Sequence, residues 1–344
     1  MLRLGWIGCG THASEMLLPQ LTRFPVALAA VCDTDPARAG EAARRFGAGA
    51  SFTDAAAMLG EVALDAVGMA VGPAQHQALA QHALARGLAV FVEKPPAATA
   101  AGAALVAAAA AKAARPCIVG FMKRYSTANR IAANILRGAE FGAAASLVGE
   151  YMTAPTYFAR DPDYEGFFLH HSVHAMDLVP WLMGERVEAV HARSFSLGPG
   201  KIALHVGFTF PSGALGTVVM GTHQSRGTPM EFWQVMGDNR RVEIHNVHSV
   251  RYFRAPPFKA DDPAATLDPA LDTLAWEPNL TAAANEDHKG YHALLGAFLA
   301  AARGEPSDAP TIEEGVEAMR VLEAMRRSLV TGNAESPHPR ASSG

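Results

Sequence analysis

Leu2-Arg3-Leu4-Gly5-Trp6-Ile7-Gly8-Cys9-Gly10-Thr11-His12-Ala13 opens the chain and decides how its first half folds. Strand-forming residues run straight into Gly-x-Gly-x-x-Ala, and a helical pattern follows from Ser14 to Phe24. Strand, glycine turn and helix in that order form the phosphate-binding entry of a dinucleotide fold. Gly8 permits the tight turn, Gly10 lets a pyrophosphate approach the backbone, and Ala13 allows helix and strand to pack closely. Thr11 and His12 begin the helix, where unpaired N–H groups favour an anion.

Asp33 stands 20 residues beyond Ala13, at the end of the next strand. A carboxylate there accepts the ribose hydroxyls of NAD and repels the 2′-phosphate of NADP. Its alternative role, a helix cap, is filled better by Asp35 ahead of Pro36. Arg38 is close enough to compensate a phosphate, so NADP stays open as the alternative cofactor. Apolar runs at Leu2–Ile7, Val26–Cys32, Leu64–Val71, Leu88–Val92 and Cys117–Phe121 alternate with helical stretches near Ser14–Phe24, Pro36–Phe46, Ala74–Arg86 and Thr99–Ala114. This alternation predicts a Rossmann-type α/β domain, a parallel sheet covered on both faces, over residues 1–122.

Beyond a helix near Thr127–Arg137 the pattern changes to period-two alternation. It runs through Ala144–Met152, Arg186–Phe195, Ile202–Phe210, Leu215–Thr222, Glu231–Met236 and Arg241–Ile244. Turn signals at Pro211-Ser212-Gly213 and Gly237-Asp238-Asn239 join neighbouring strands, which predicts an α+β domain over 123–330 with a large, mostly antiparallel open sheet. A Pro/Asp-rich segment from Ala255 to Glu286, two closing helices near Gly290–Ala302 and Ile312–Leu329, and a disordered tail over 331–344 complete the expected organisation.

The chain has 344 residues, 49% hydrophobic and 18% charged, with a net charge of −4. That length suits two domains, and the charge leaves no basic footprint for nucleic acid. No run reaches the roughly 18 apolar residues of a membrane span. A strand at the very start, without a charged region and apolar core ahead of it, argues for the cytoplasm. Cys9, Cys32 and Cys117 are an odd set in apolar strands, which suits small core residues better than disulfides.

Two later stretches carry chemistry. Phe91-Val92-Glu93-Lys94-Pro95-Pro96 ends a parallel strand, at the edge where α/β sheets bind ligands, so Glu93 and Lys94 should face the cofactor crevice. Lys94 is one of only six lysines. His76, after Gly72-Pro73, either lines the same crevice or is a structural loop histidine. His170-His171-Ser172-Val173-His174-Ala175-Met176-Asp177 puts His170, His174 and Asp177 on one face at helical spacing. A zinc reading of these histidines lacks the usual intervening glutamate, and no metal is expected. Lys123, Arg124 and Tyr125 follow the last Rossmann strand, and Tyr157, Arg160, Asp163 and Tyr164 precede the histidines. Such groups suit a hydroxylated ring, and surface-loop chemistry explains them as well.

Taken together, the glycine turn, EKPP, GFMKRY (Gly120 to Tyr125) and HxxD followed by WLMG resemble the glucose-fructose oxidoreductase/inositol dehydrogenase (Gfo/Idh/MocA) family over nearly the whole chain. The resemblance implies hydride transfer between NAD and a secondary alcohol of a sugar, cyclitol or sugar derivative, glycosides included. It implies Lys94 and His174 as catalytic residues and a homodimer or homotetramer formed through the second-domain sheet. His170 departs from the pattern, because many relatives carry aspartate four residues before the histidine. A redox-neutral, NAD-assisted glycoside cleavage and a non-catalytic NAD-binding regulator are the alternatives.

Overall fold

The computed structural model describes residues 1–155, 165–279 and 289–338. The chain falls into two units, Met1–Met122 with Gly290–Met319, and Lys123–Lys289 with the chain from Arg320 onward. The first holds β1 (Leu2–Ile7), β2 (Val26–Cys32), β3 (Ser51–Phe52), β4 (Ala66–Met69), β5 (Ala89–Val92) and β6 (Cys117–Val119). These pair in the order β3-β2-β1-β4-β5-β6, every pair parallel. This is the doubly wound order in which β1 and β4 flank the switch point where such sheets bind ligands.

Local chemistry explains the helix starts. Asp35, Asp54 and Thr99 cap the helices Pro36–Phe46, Ala55–Glu61 and Ala100–Ala113 by accepting backbone N–H bonds. The stretch expected as one helix from Ser14 to Phe24 contains a π turn at Ala13–Leu17, followed by α-helix at Leu18–Leu21. β3 and the helix after it were not expected, because two residues of strand carry no readable period. Residues 290–319 were read as part of the second domain. They group with the first because the helix Tyr291–Ala302 buries Leu294, Leu295, Phe298 and Leu299, with Phe298 against Phe91 at 5.6 Å between ring centroids. Thr311 also bridges to Ile118 on β6.

The second unit carries β7 (Ser146–Met152), β8 (Ala189–Gly198), β9 (Lys201–Thr209), β10 (Leu215–Gly221), β11 (Glu231–Gly237), β12 (Arg240–His245), β13 (Ser249–Phe253) and β14 (Leu274–Trp276). Their order is β14-β13-β12-β11-β7-β10-β9-β8, antiparallel except for the pair β7 and β10. Residues of β9 alternate between buried and more exposed positions along the strand, as expected for a sheet with one covered face. β14 lies inside the stretch expected to be irregular. Of the stretch expected as a tail, Thr331 ends the helix Ile312–Thr331, and Glu335 exchanges backbone hydrogen bonds with Val190.

No helix among the described residues is long and apolar enough to cross a membrane. Cys9, Cys32 and Cys117 are buried free thiols. Burial pushes the Cys9 and Cys32 thiols up to about 12 and about 11, which leaves both protonated and inert near neutral pH.

The switch point is packed to its limit. A Cβ on Gly68 of β4 would sit 2.3 Å from the Trp6 ring, which is fully buried beside Phe91. Gly68→Ala should therefore cost about 2 kcal/mol through overpacking, read as a lowered urea midpoint; an unchanged midpoint would show that the Trp6 ring can move aside.

Candidate functional site

The glycine turn is braced from two sides. Gly8 has φ of 88°, and a Cβ there would fall 2.2 Å from the Ala70 carbonyl oxygen, so only glycine fits. Around Gly10 nothing lies within 4 Å of where a Cβ would be, which leaves the backbone open to a ligand. Asp33 holds the turn: its Oδ2 accepts from the Cys9 N–H at 2.8 Å and its Oδ1 from the Asp35 N–H at 2.9 Å. Ser14 bonds back to the Gly10 carbonyl, so Thr11, His12 and Ala13 lie in the first helical turn, whose amides lack partners within the helix. Ala13 is buried where helix meets strand. Arg38 is 61% exposed and pairs with Asp35 at 3.4 Å. An open backbone, a helix start and a braced carboxylate fit a dinucleotide.

Glu93 and Lys94 follow β5 in the same unit. Glu93 is buried, with Oε1 3.6 Å from His12 Nε2 and Oε2 accepting from the Lys94 N–H at 3.1 Å. Gly120 makes room for it, since a Cβ there would sit 2.6 Å from Glu93 Oε1. Burial pushes the Glu93 carboxyl up, but the close approach of the His12 ring and the positive charge of Lys94 outweigh burial and hold it below the usual range. His12 is further fixed edge-on against Tyr291, 5.6 Å between centroids. The Lys94 side chain is half-buried. His76 has the structural role: Val71 N–H donates to Nε2 at 3.1 Å, which leaves Nδ1 to donate to the Pro95 carbonyl at 2.8 Å. Both ring nitrogens are thus committed to backbone, tying the loop after β4 to the loop after β5.

In the second unit His174 lies in the first turn of the helix Val173–Met183 and is buried. Of the three side chains expected to share a face, His174 and Asp177 are buried and His170 is exposed. Phe168–Ser172 is a π turn, and its wider turn shifts the register that regular 3.6-residue spacing would give. His170 is exposed, while His171 stacks on Tyr151 at 4.3 Å and His174 stands edge-on to the same ring at 6.5 Å.

Three of the expected substrate groups are turned inward. Arg124 grips Asp177 through two nitrogens at 2.5–3.1 Å, both residues buried, which anchors the helix of His174 to the turn Met122–Tyr125. Lys123 is buried and bonds Glu231 at 2.5 Å. Tyr125 is buried beneath the Arg130 guanidinium, 4.6 Å from its centroid. Tyr157, Arg160, Asp163 and Tyr164 lie outside the described residues. Sequence reading missed Tyr151, His171, Glu231 and Trp233. One signal was available: Glu231 and Trp233 share the inward face of a period-two strand, where an acid needs a buried partner. No cluster able to hold a metal occurs among the described residues.

The lowered Glu93 value fixes a pH dependence. Its carboxylate form stabilises the fold above its ordinary value of 4.5, and that contribution is lost as pH falls through the lower native value. Glu93→Gln should be less stable than wild type at pH 7, with the gap closing in urea melts run below pH 4; a gap that widens in acid would contradict the assignment.

Two family models together cover most of the chain. Residues 2–121 match the oxidoreductase family, NAD-binding Rossmann fold, and residues 152–334 match its C-terminal alpha/beta domain. A D-apiose dehydrogenase of Paraburkholderia graminis is 28% identical over 272 residues, 73% of this chain and 72% of that protein. An inositol 2-dehydrogenase of Acidothermus cellulolyticus is 34% identical over 206 residues, 58% of this chain, which therefore spans only 59% of that relative's length. The structure of a levoglucosan dehydrogenase in complex with NADH and L-sorbose superposes with a TM-score of 0.82 at 18% identity, over 98% of this chain and 99% of that one, a likeness of fold. With both of its parts matched in order, the chain belongs to the Gfo/Idh/MocA family of oxidoreductases.

Proposed function

We propose that the protein is an NAD-dependent dehydrogenase acting on a secondary alcohol of a sugar, cyclitol or sugar derivative, glycosides included. The observation that carries this reading is the glycine turn braced by Asp33, with Lys94 following the switch-side strand β5 of the same sheet. The named relatives support the substrate class, an apiose dehydrogenase and an inositol dehydrogenase by sequence, and a levoglucosan dehydrogenase holding NADH and a sugar by fold.

The turn residues Gly8 and Gly10 and the helix start at Thr11, His12 and Ala13 would hold the pyrophosphate, and Asp33 the ribose hydroxyls. NAD, when bound, supplies the hydride acceptor. The pairing of Arg38 with Asp35 favours NAD over NADP, because the guanidinium already has a carboxylate partner and a 2′-phosphate would meet Asp33.

His174 is proposed to take the hydroxyl proton as general base. Lys94 is proposed to bind the same oxygen and stabilise the negative charge that develops there. Asp177, gripped by Arg124, serves by anchoring the helix of His174. His170 is the exposed side chain of this stretch and the one proposed to meet substrate hydroxyls, together with Tyr157 and Tyr164 from the segment before it. Exposed Val148, Phe195, Leu197 and Leu215 on the eight-stranded sheet support self-association into a dimer or tetramer.

Absorbance at 340 nm against a panel of sugars, cyclitols and glycosides tests the activity; no NADH formation on any of them would defeat the reading. Lys94→Ala should keep NAD affinity and lose about a hundredfold or more in turnover, whereas near-normal turnover would remove Lys94 from the mechanism. Asp33→Ala should raise the NADP-to-NAD ratio of kcat/KM at least about tenfold; an unchanged ratio would show that Asp33 braces the turn without reading the ribose.

A further inference from the structure

The Tyr151 ring is the meeting point of four side chains in the second unit. Lys123 Nζ lies 4.8 Å from its centroid, His171 stacks parallel to it, His174 stands against it at an interplanar angle of 87°, and Trp233 packs at 6.3 Å. Tyr151 on β7 is the direct register partner of Glu231 on β11. Both oxygens of that glutamate are engaged, Oε1 by Lys123 Nζ at 2.5 Å and Oε2 by Trp233 Nε1 at 3.0 Å. The backbone of Lys123 is held too, its carbonyl accepting from Asn129 Nδ2 and Ser126 Oγ. Gly149 completes the seat: a Cβ there would sit 2.5 Å from the Trp233 ring. All of these contacts fall within the unit that carries His174.

We propose that Tyr151 is a positioning residue for His174, its ring fixed by the buried Lys123–Glu231 pair, which also keeps the charge beside the histidine balanced. This rests on the reading of His174 as the base. A general base must hold one ring orientation and be able to accept a proton. The flat Tyr151 face, seated by a cation and a tryptophan, restricts the imidazole to an edge-on stance. A buried ammonium alone would oppose a proton on His174, and the Glu231 carboxylate cancels that field. Among the described residues of this unit, the other titratable or charged groups near the histidine or on its helix are His170 and His171 on the π turn, the Arg124–Asp177 pair one helical turn further on, and Arg137, which stands over Trp181. The helix Thr127–Leu136, packed alongside, adds only Arg130, whose guanidinium sits over Tyr125.

Two sets of variants test the proposal, read by NMR titration of the His174 ring and by kcat on an alcohol found active in the panel. Tyr151→Leu should release the ring, changing the His174 chemical shifts and lowering kcat at least about tenfold with NAD affinity retained. Tyr151→Phe should restore what the leucine loses. Glu231→Gln leaves Lys123 uncompensated, so the His174 titration midpoint should fall by about half a unit or more, carrying the acid limb of the kcat profile to lower pH. The double variant Lys123→Met with Glu231→Gln should bring the midpoint back. The titration needs no substrate, so a protein that oxidises no alcohol in the panel defeats the dehydrogenase reading while the NMR still decides this one. Unchanged His174 shifts and titration in Tyr151→Leu, or a midpoint that stays or rises in Glu231→Gln, overturn the proposal. Should Glu231→Gln not fold, the leucine and phenylalanine pair decides alone.

Discussion

A single carboxylate accepting a backbone N–H is the constraint on which the first unit depends. The glycine turn must be tight, because Gly8 runs against the Ala70 carbonyl, and it must stay open at Gly10. A turn with nothing packed on one side would ordinarily be mobile. Asp33, reaching from the end of β2 to the Cys9 amide, supplies rigidity from behind and leaves the ligand side bare. The same carboxylate orders the start of the next helix through Asp35, so one acid couples two βα turns. Glu93 repeats the scheme at β5, where a buried acid reaches back to His12 just beyond the glycines and forward to the Lys94 amide. Lys94 is thereby tied to the turn through a short chain of charged and hydrogen-bonded contacts.

The second unit relies on buried charge in another way. Lys123–Glu231 and Arg124–Asp177 place four ionised groups in the interior from adjacent positions of one short turn. Desolvation makes such pairs poor sources of stability compared with apolar packing of the same volume, yet removing one partner is expensive. What they secure is placement. Arg124 pins the helix that carries His174, and Lys123 pins the ring on which His174 stands.

Much of this was legible in the sequence. The glycine turn, the strand-end acid and the switch from alternating helices to period-two strands led to both sheets, because each follows from local chemistry or a long repeat. β3, β13 and β14 were lost: β3 and β14 are too short to show a period, and the run Ser249–Phe253 was not read as a strand. The site was only half readable. His174 and Asp177 are both buried, but a π turn cannot be seen in a residue pattern, so regular helical spacing picked out His170 while His171 is the histidine stacked on Tyr151. Lys123 and Arg124 were read as substrate groups because they follow the last Rossmann strand. Their acids lie 108 and 53 positions away, and no local rule reaches across such distances.

The return of residues 290–319 to the first unit has a consequence for how the protein is born. A ribosome adds the chain from one end, and by the time residue 122 emerges all six strands of the parallel sheet exist. Phe91 still lacks Phe298, and β6 still lacks its bridge to Thr311. Every strand of the eight-stranded sheet, down to Trp276, is made before Tyr291 appears. The nascent Rossmann half therefore waits through the synthesis of an entire second sheet with an apolar face uncovered, the state in which chains are most exposed to misassembly. The unit whose strands are made first is thus completed only after every strand of the second has been made.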